Sequence, residues 1–184
     1  MIITGEHIAD VAEHSGLLGT PYSKLDCQAF VEVVLQKAGM KIPNYRGSNH
    51  MWRELVYDRT PFTDAYDVDN IPVGVLVFVV KDDGGEKKRG YNDNMGNAAH
   101  VGIYLGNGRV IHSATGGVQY GTISRFTGWA KIKDVNYGGV QNDDEYESQG
   151  STGDFKQALL QYCQVLRDNL DGLEELIHDL YRNP

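Results

Sequence analysis

The chain has 184 residues, the length of one globular domain with an appendage. Hydrophobic residues make up 41% of it and charged residues 23%, an ordinary composition for a globular protein with a core. No run of about 18 apolar residues occurs, so we expect no membrane insertion. Residues 1–7 have neither a basic start nor an apolar stretch, so we expect no secretion signal.

The net charge of −8 is concentrated near the C-terminal end. Residues 1–137 hold 14 Lys or Arg and 15 Asp or Glu, a net charge of −1, whereas residues 138–184 hold 3 and 10, a net charge of −7. A nucleic-acid-binding protein needs a basic face. A nearly neutral body with an acidic tail therefore excludes nucleic acid as the expected partner.

Apolar residues at helical spacing predict three helices in the first third of the chain, at residues 5–15, 25–38 and 48–56. Gly16 and Gly39 follow the first two and are typical of helix ends. The segment between the first two helices is predicted to be a loop.

Residues with high β-propensity predict a sheet in the middle of the chain. The predicted strands are residues 73–80, 99–105, 109–114 and 129–135. The turn Gly106-Asn107-Gly108 joins the second and third of these in a hairpin. Residues 57–72 are predicted to be irregular. The charged, glycine-rich residues 81–97 are predicted to form a long loop. A flap over the cleft is one interpretation of this loop, and a surface insertion without a function is the alternative.

The chain is predicted to divide into a domain at 1–137, an acidic, Gly-rich linker at 138–154 and an amphipathic helix at 155–184. In that helix, apolar residues alternate spacings of four and three, which is a heptad pattern with leucine at every d position. Its members are Leu159, Cys163, Leu166, Leu170, Leu173, Ile177 and Leu180. This stripe predicts a homo-oligomer, and packing back onto the domain is the alternative.

Cys27 is the first candidate for chemistry. Cys27 and Cys163 are too few for a disulfide framework, so both are expected to be reduced thiols. Cys27 falls in the first turn of the second predicted helix, where unpaired N–H groups and the helix dipole lower the pKa of a thiol. A small, buried core residue is the alternative interpretation.

A thiol nucleophile needs a base, and that base needs a group to orient it. His100 and His112 lie on the two strands of the predicted hairpin, where their side chains can meet on one face. One would take the proton of the Cys27 thiol and the other would fix its tautomer, so the sequence predicts a cysteine hydrolase. Two half-buried structural histidines are one alternative, and a zinc site with Cys27 and Asp26 is another.

Four segments occur together: Asp26-Cys27-x-x-Phe30-Val31, Gly74-x-Leu76-Val77-Phe78, His100-Val101-Gly102-Ile103-Tyr104-Leu105-Gly106 and Val110-Ile111-His112-Ser113-Ala114. In this order they resemble the NlpC-type papain-like peptidases of bacterial cell-wall metabolism. The resemblance covers residues 5–137, and the combination is more specific than any single motif.

The resemblance implies an α+β papain-like fold, with a cysteine-bearing helix packed on a small antiparallel sheet. It also implies hydrolysis of peptidoglycan stem peptides, usually after γ-D-glutamate, at diaminopimelate or lysine, with no cofactor and no metal. Cys27 would be the nucleophile, His100 the base and His112 the orienting group. Tyr22 would stabilise the oxyanion together with the Cys27 backbone N–H, and Asp26 would engage a free amine of the stem peptide.

The chain departs from the family pattern in three places, one of which is the 81–97 loop, which is longer than usual. Gln28-Ala29 stand where members commonly have Ser-Gly, and Gly74-Val75-Leu76 stand where Gly-Asp-Leu is frequent. Three alternatives therefore stay open: an amidase cutting between muramic acid and L-alanine, an acyltransferase, and a catalytically inactive wall-binding or assembly module. For a chain without a secretion signal, the expected setting is a phage or prophage lysin, a particle-associated wall hydrolase, or a wall hydrolase whose signal has been removed.

Overall fold

The fold was analysed in a computed structural model, which describes residues 2–62, 68–81, 91 and 93–138. The predicted helix at 155–184 and the predicted linker, except Gly138, lie outside the described residues. The division of the chain at 137 and 154 and the homo-oligomer therefore stay predictions. Within the described ranges, every helix is too short or too polar to cross a lipid bilayer.

Three α-helices form the first third of the chain: α1 (Gly5–His14), α2 (Cys27–Lys37) and α3 (Ser48–Glu54). All three were predicted, and each observed helix is slightly shorter than the predicted one. The α2 helix begins at Cys27 because Asp26 has an extended backbone and its carboxylate accepts a hydrogen bond from the Ala29 N–H at 2.8 Å. The side-chain cap therefore fixes the position of the cysteine at the helix start.

Six strands form one antiparallel sheet in the order β1-β6-β2-β3-β4-β5. They are β1 (Val56–Pro61), β2 (Leu76–Lys81), β3 (Asn97–Gly106), β4 (Arg109–Ala114), β5 (Gly117–Thr122) and β6 (Gly128–Ile132). The predicted hairpin joins β3 to β4, and its turn residues Gly106, Asn107 and Gly108 all have positive φ angles. The α+β fold with a small antiparallel sheet is thus confirmed.

Two edge strands were not predicted. β1 lies in the segment predicted to be irregular, and its pairing with β6 shifts register near Asp58, which has a φ of 49°. β5 pairs along the whole of β4 but contains Gly117 and Gly121. A strand with one neighbour and partial exposure needs little apolar alternation, so neither carried a clear sequence signal.

The helices cover one face of the sheet, and a smaller apolar cluster covers the other. Phe30 and Val34 of α2 pack with Leu76 and Ile103 of the sheet in the larger core. The smaller cluster consists of Ile71, Val75, Val77, Tyr104, Val110, Ile123 and Phe126. With both faces packed, β3 and β4 are held firmly at the centre of the domain.

The described end of the predicted loop 81–97 is attached to α3. The Arg53 guanidinium lies 4.1 Å from the Tyr91 ring centroid and pairs with Asp93 at 2.8 Å. The Trp52 indole N–H also donates to the Met95 carbonyl at 2.9 Å. Residues 82–90 and 92 lie outside the described residues, so the flap stays a prediction.

Candidate active site

Cys27 is the first residue of α2, and its side chain is buried, with 6% exposed. The helix start is tied to the sheet by the Ser113 hydroxyl, which donates to the Leu25 backbone carbonyl. Ser113 follows His112 on β4, so this contact fixes the cysteine segment against the strand that carries the histidine.

Burial raises the pKa of the Cys27 thiol, and the nearby Asp26 carboxylate adds to that effect. Hydrogen bonds from the Tyr22 hydroxyl and from the backbone N–H of Val101 act in the opposite direction but do not outweigh burial. The Gln28 backbone N–H in the first turn of α2 also lowers this pKa, as expected for a helix start, but burial gives the net rise. Cys27 is a protonated thiol at neutral pH, and it needs a base to become a nucleophile.

His100 on β3 and His112 on β4 are hydrogen-bonded to each other. Nε2 of His100 lies 2.7 Å from Nδ1 of His112, and the planes of the two rings make an angle of 77°. Burial and the neighbouring His112 lower the pKa of His100 to about 4, while burial and the Arg125 charge lower the pKa of His112. Both rings are therefore neutral at neutral pH. The structure also brings His100 and His112 together on one face of the sheet, as the hairpin predicted.

Two glycines make room for the His112 ring. A Cβ atom on Gly121 of β5 would lie 2.8 Å from Nε2 of His112, and one on Gly102 of β3 would lie 3.0 Å from its Cβ. Phe126 packs on the pair, stacked on the His100 ring at 5.8 Å and edge-on to the His112 ring at 5.6 Å. Sequence reasoning missed Gly121 and Phe126 because β5 itself was not predicted.

Tyr22 connects the thiol with the histidine pair. Its hydroxyl lies 4.0 Å from the Cys27 Sγ, and its side chain lines the same cavity as both rings. This cavity, of about 430 Å³, is lined by Tyr22, His100, His112, Ala114, Thr115, Arg125 and Phe126. A second cavity of about 460 Å³ shares Tyr22 and Thr115 with it, so the concave surface extends to both sides of Tyr22.

Asp26 has a structural role in this site. It is exposed, and one of its carboxylate oxygens accepts the Ala29 N–H that caps α2. Within the described ranges, no three His, Cys, Asp or Glu side chains are grouped as a metal site.

Gln28 accounts for one of the departures from the family pattern. Its amide nitrogen donates to Glu32 at 2.7 Å and to the Tyr45 carbonyl at 2.8 Å, and its oxygen accepts from the Gly47 N–H at 2.8 Å. The longer side chain therefore fastens the segment before α3 to α2, directly beside the cysteine.

A cysteine at the start of a helix, packed on an antiparallel sheet whose central strands carry paired histidines, defines the papain-like class of cysteine peptidase folds. More narrowly, the chain belongs to the NlpC/P60 family, whose family model matches residues 15–135. That match contains Tyr22, Cys27, His100 and His112.

Two relatives show the extent of the similarity. The chain is 29% identical over 137 residues to a protein named "Probable endopeptidase p60" from Listeria welshimeri, covering 71% of this chain and 21% of that protein. It is 28% identical over 137 residues to the protein of the same name from Listeria monocytogenes, covering 71% and 23%. The chain thus spans less than a quarter of the length of the curated relatives it matches.

Solved structures with a similar backbone include the NlpC/p60 domain of the peptidoglycan hydrolase SagA. That domain is 23% identical, with a TM-score of 0.46, and the match covers 70% of this chain and 99% of that one. A NlpC/P60 family protein from Bacillus cereus is 26% identical, with a TM-score of 0.46, and the match covers 70% of this chain and 40% of that one.

Proposed function

We propose that this protein is a peptidoglycan hydrolase, a cysteine endopeptidase that cuts stem peptides after γ-D-glutamate with Cys27, His100 and His112. Family membership and relatives named as probable endopeptidases support the reaction class. The observation that carries the proposal is the bonded pair of neutral histidines, which shares a cavity with the tyrosine that contacts the thiol.

The hydrogen bond between the histidines determines which nitrogen is available as the base. His100 uses Nε2 in that bond, so Nδ1 is its remaining nitrogen. His100 can accept a proton at Nδ1 only when its own proton sits on Nε2 and is donated to Nδ1 of His112. His112 then carries its proton on its own Nε2. In this arrangement His112 fixes the tautomer that makes His100 a base.

In the proposed reaction, the proton of the Cys27 thiol passes to Nδ1 of His100 while the Sγ attacks the scissile carbonyl carbon. The carbonyl oxygen becomes an oxyanion, and collapse of this intermediate expels the amine, which takes the proton from His100. A thioester on Cys27 remains. Water then attacks it with His100 again acting as the base, which releases the acid and restores the thiol.

Tyr22 and the Cys27 backbone N–H are the proposed donors to the oxyanion. Burial and the adjacent thiol raise the pKa of Tyr22, so its hydroxyl keeps its proton and can donate it in a hydrogen bond. The Cys27 N–H lies at the start of α2, where backbone N–H groups have no partner inside the helix. Two such donors are the usual requirement for an acyl-transfer site.

The proposed place of action is the bacterial cell wall, in the setting of a phage or prophage lysin or a particle-associated hydrolase. Asp26, exposed beside Cys27, is the proposed contact for a free amine of the stem peptide. Its second carboxylate oxygen is available for this because the helix cap uses Oδ1.

The decisive test is digestion of purified peptidoglycan followed by mass spectrometry of the new amino groups. We expect new free amines on diaminopimelate or lysine, whereas new amines on L-alanine would indicate the amidase. New amide or ester linkages would indicate the acyltransferase. No product together with retained wall binding would indicate the inactive module.

Variants test the roles of the three residues. Cys27→Ala should abolish hydrolysis and His100→Ala should come close to doing so, whereas His112→Ala should be milder because water can partly replace an orienting group. Undiminished hydrolysis by Cys27→Ala would exclude the proposed mechanism.

A further inference from the structure

Arg125 is held at the rim of the cavity that contains the two histidines. It ends the 3-10 turn Ile123–Arg125, between β5 and β6. The Ile123 N–H donates to the Gly108 carbonyl at 2.9 Å, and the Phe126 N–H donates to the Ile123 carbonyl at 2.9 Å. Because Phe126 is buried against both histidine rings, the backbone of Arg125 is fixed on each side.

The guanidinium of Arg125 has no carboxylate partner among the described residues. Arg53, Arg109 and Lys131, by contrast, form ion pairs with Asp93, Glu13 and Asp58 respectively. Arg125 is exposed to solvent and lines the cavity, and its charge lowers the pKa of His112.

A positive charge at this position has a consequence for the substrate. The Arg125 charge disfavours the protonated form of His112. It therefore does not stabilise an ion pair of thiolate and imidazolium in the free protein. A guanidinium presents a planar set of donors that matches a carboxylate in two parallel hydrogen bonds. The side chain therefore provides a receptor for an anionic group of a molecule bound in the cavity.

We propose that Arg125 binds a carboxylate of the substrate next to the scissile bond, and that it selects stem peptides in which this carboxylate is free over those in which it is amidated. This inference rests on the proposed function. In a γ-linked glutamate the chain continues through the side-chain carboxyl group, so the α-carboxylate is left free, a few bonds from the scissile carbonyl. Amidation of that group removes the charge and one acceptor but leaves the scissile amide unchanged.

The test compares two soluble stem peptides that differ only in an α-carboxylate or an α-carboxamide on D-glutamate. The wild-type protein should cleave the carboxylate peptide with a kcat/KM about tenfold higher, the scale of one charge-assisted contact. Arg125→Gln should lose this preference, mainly through a higher KM for the carboxylate peptide, so that the kcat/KM values for the two peptides become equal. Arg125→Lys should keep part of the preference because it keeps the charge.

Lys41→Gln is the matched control. It removes the same charge from an exposed residue beyond the C-terminal end of α2, at the opposite end of that helix from Cys27. It should leave both rates and the preference unchanged. Equal losses on both peptides with Arg125→Gln, or no preference in the wild type, would overturn the inference.

Binding separates this inference from the proposed function. In the Cys27→Ala background, calorimetry should show tighter binding of the carboxylate peptide, and the added substitution Arg125→Gln should remove that difference. If the wild type cleaves neither peptide but this difference in affinity is present, the proposed reaction fails and the role of Arg125 stands. Equal affinities for both peptides would overturn the role of Arg125.

Discussion

The Ser113 hydroxyl donates a hydrogen bond to the Leu25 backbone carbonyl, so the strand of His112 is tied to the segment that leads into Cys27. Ser113 is fully buried, and the acceptor lies two residues before the cysteine. The contact spans 88 positions of the chain. One buried hydroxyl thus sets the distance between two parts of the site that come from different layers of the fold.

Ser113→Ala should therefore reduce both stability and activity. Loss of the donor leaves the partly buried Leu25 carbonyl without this partner, which costs about 1 kcal/mol. Urea unfolding measures this cost, and kcat/KM should fall as the helix start loosens. Ser124→Ala, at an exposed serine whose hydroxyl lies 2.9 Å from that of Thr122, should change neither quantity. An unchanged unfolding free energy in Ser113→Ala would contradict the prediction.

Gly121→Ala should displace the His112 ring. The added Cβ would lie 2.8 Å from Nε2 of His112, too close for either atom to stay in place. Misplacement of this kind can lower kcat/KM by up to about a hundredfold. The control is Gly116→Ala, whose Cβ would have its nearest contact with the Gln119 side chain, at 3.4 Å. Imidazole nitrogen NMR should show the His100–His112 bond lost in the first variant and kept in the second.

The pH dependence should show a base with an unusually low pKa. Only neutral His100 can accept the thiol proton, and burial together with His112 lowers its pKa to about 4. The acid limb of kcat/KM should therefore lie near pH 4 rather than near 6.5, the ordinary value of a histidine. His14→Gln, at an exposed histidine of α1, should leave the limb in place. A limb near 6.5 would contradict the role of burial.

The same pKa shift implies a change of stability with pH. Between about pH 6.5 and 4 the unfolded chain binds a proton at this histidine before the folded protein does. The contribution of neutral His100 to stability is therefore complete above pH 6.5 and is lost as the pH falls towards 4. Urea unfolding at several pH values should show a smaller loss in His100→Gln.

Gln28→Ala should detach the segment before α3. The Gln28 amide joins Glu32, the Tyr45 carbonyl and the Gly47 N–H, so its removal should cost about 1–3 kcal/mol. Hydrogen exchange at the Gly47 N–H should accelerate. Gln36→Ala changes an exposed glutamine on the same helix and should have little effect. Equal losses of stability in both variants would show that the amide contacts contribute nothing.

Local sequence patterns were sufficient to predict the helices and the central hairpin. The helix that starts with Cys27 follows from its apolar spacing, and the hairpin follows from the Gly-Asn-Gly turn, which also brings His100 and His112 together. These features depend on residues that are close together in the sequence, so one sequence is sufficient to predict them.

The features that were missed depend on contacts between distant segments. Arg125 and Phe126 reach the histidines only because β5 returns along β4, and β5 contains Gly121, a residue that weakens a strand pattern. The net rise in the pKa of Cys27 was missed for a related reason. The helix start is a local feature, whereas the burial that outweighs it comes from the packing of the whole domain.

The resting chemistry of Cys27 has a consequence for the lifetime of the protein. Peroxides and electrophiles react with thiolates, not with protonated thiols. Burial keeps the Cys27 sulfur protonated, and neutral His100 has no charge with which to hold a thiolate. The reactive thiolate is therefore a minor form of Cys27 at neutral pH in the free protein. For an enzyme proposed to work on the cell wall, away from cytosolic reductants, this arrangement protects the nucleophile from oxidation between turnovers.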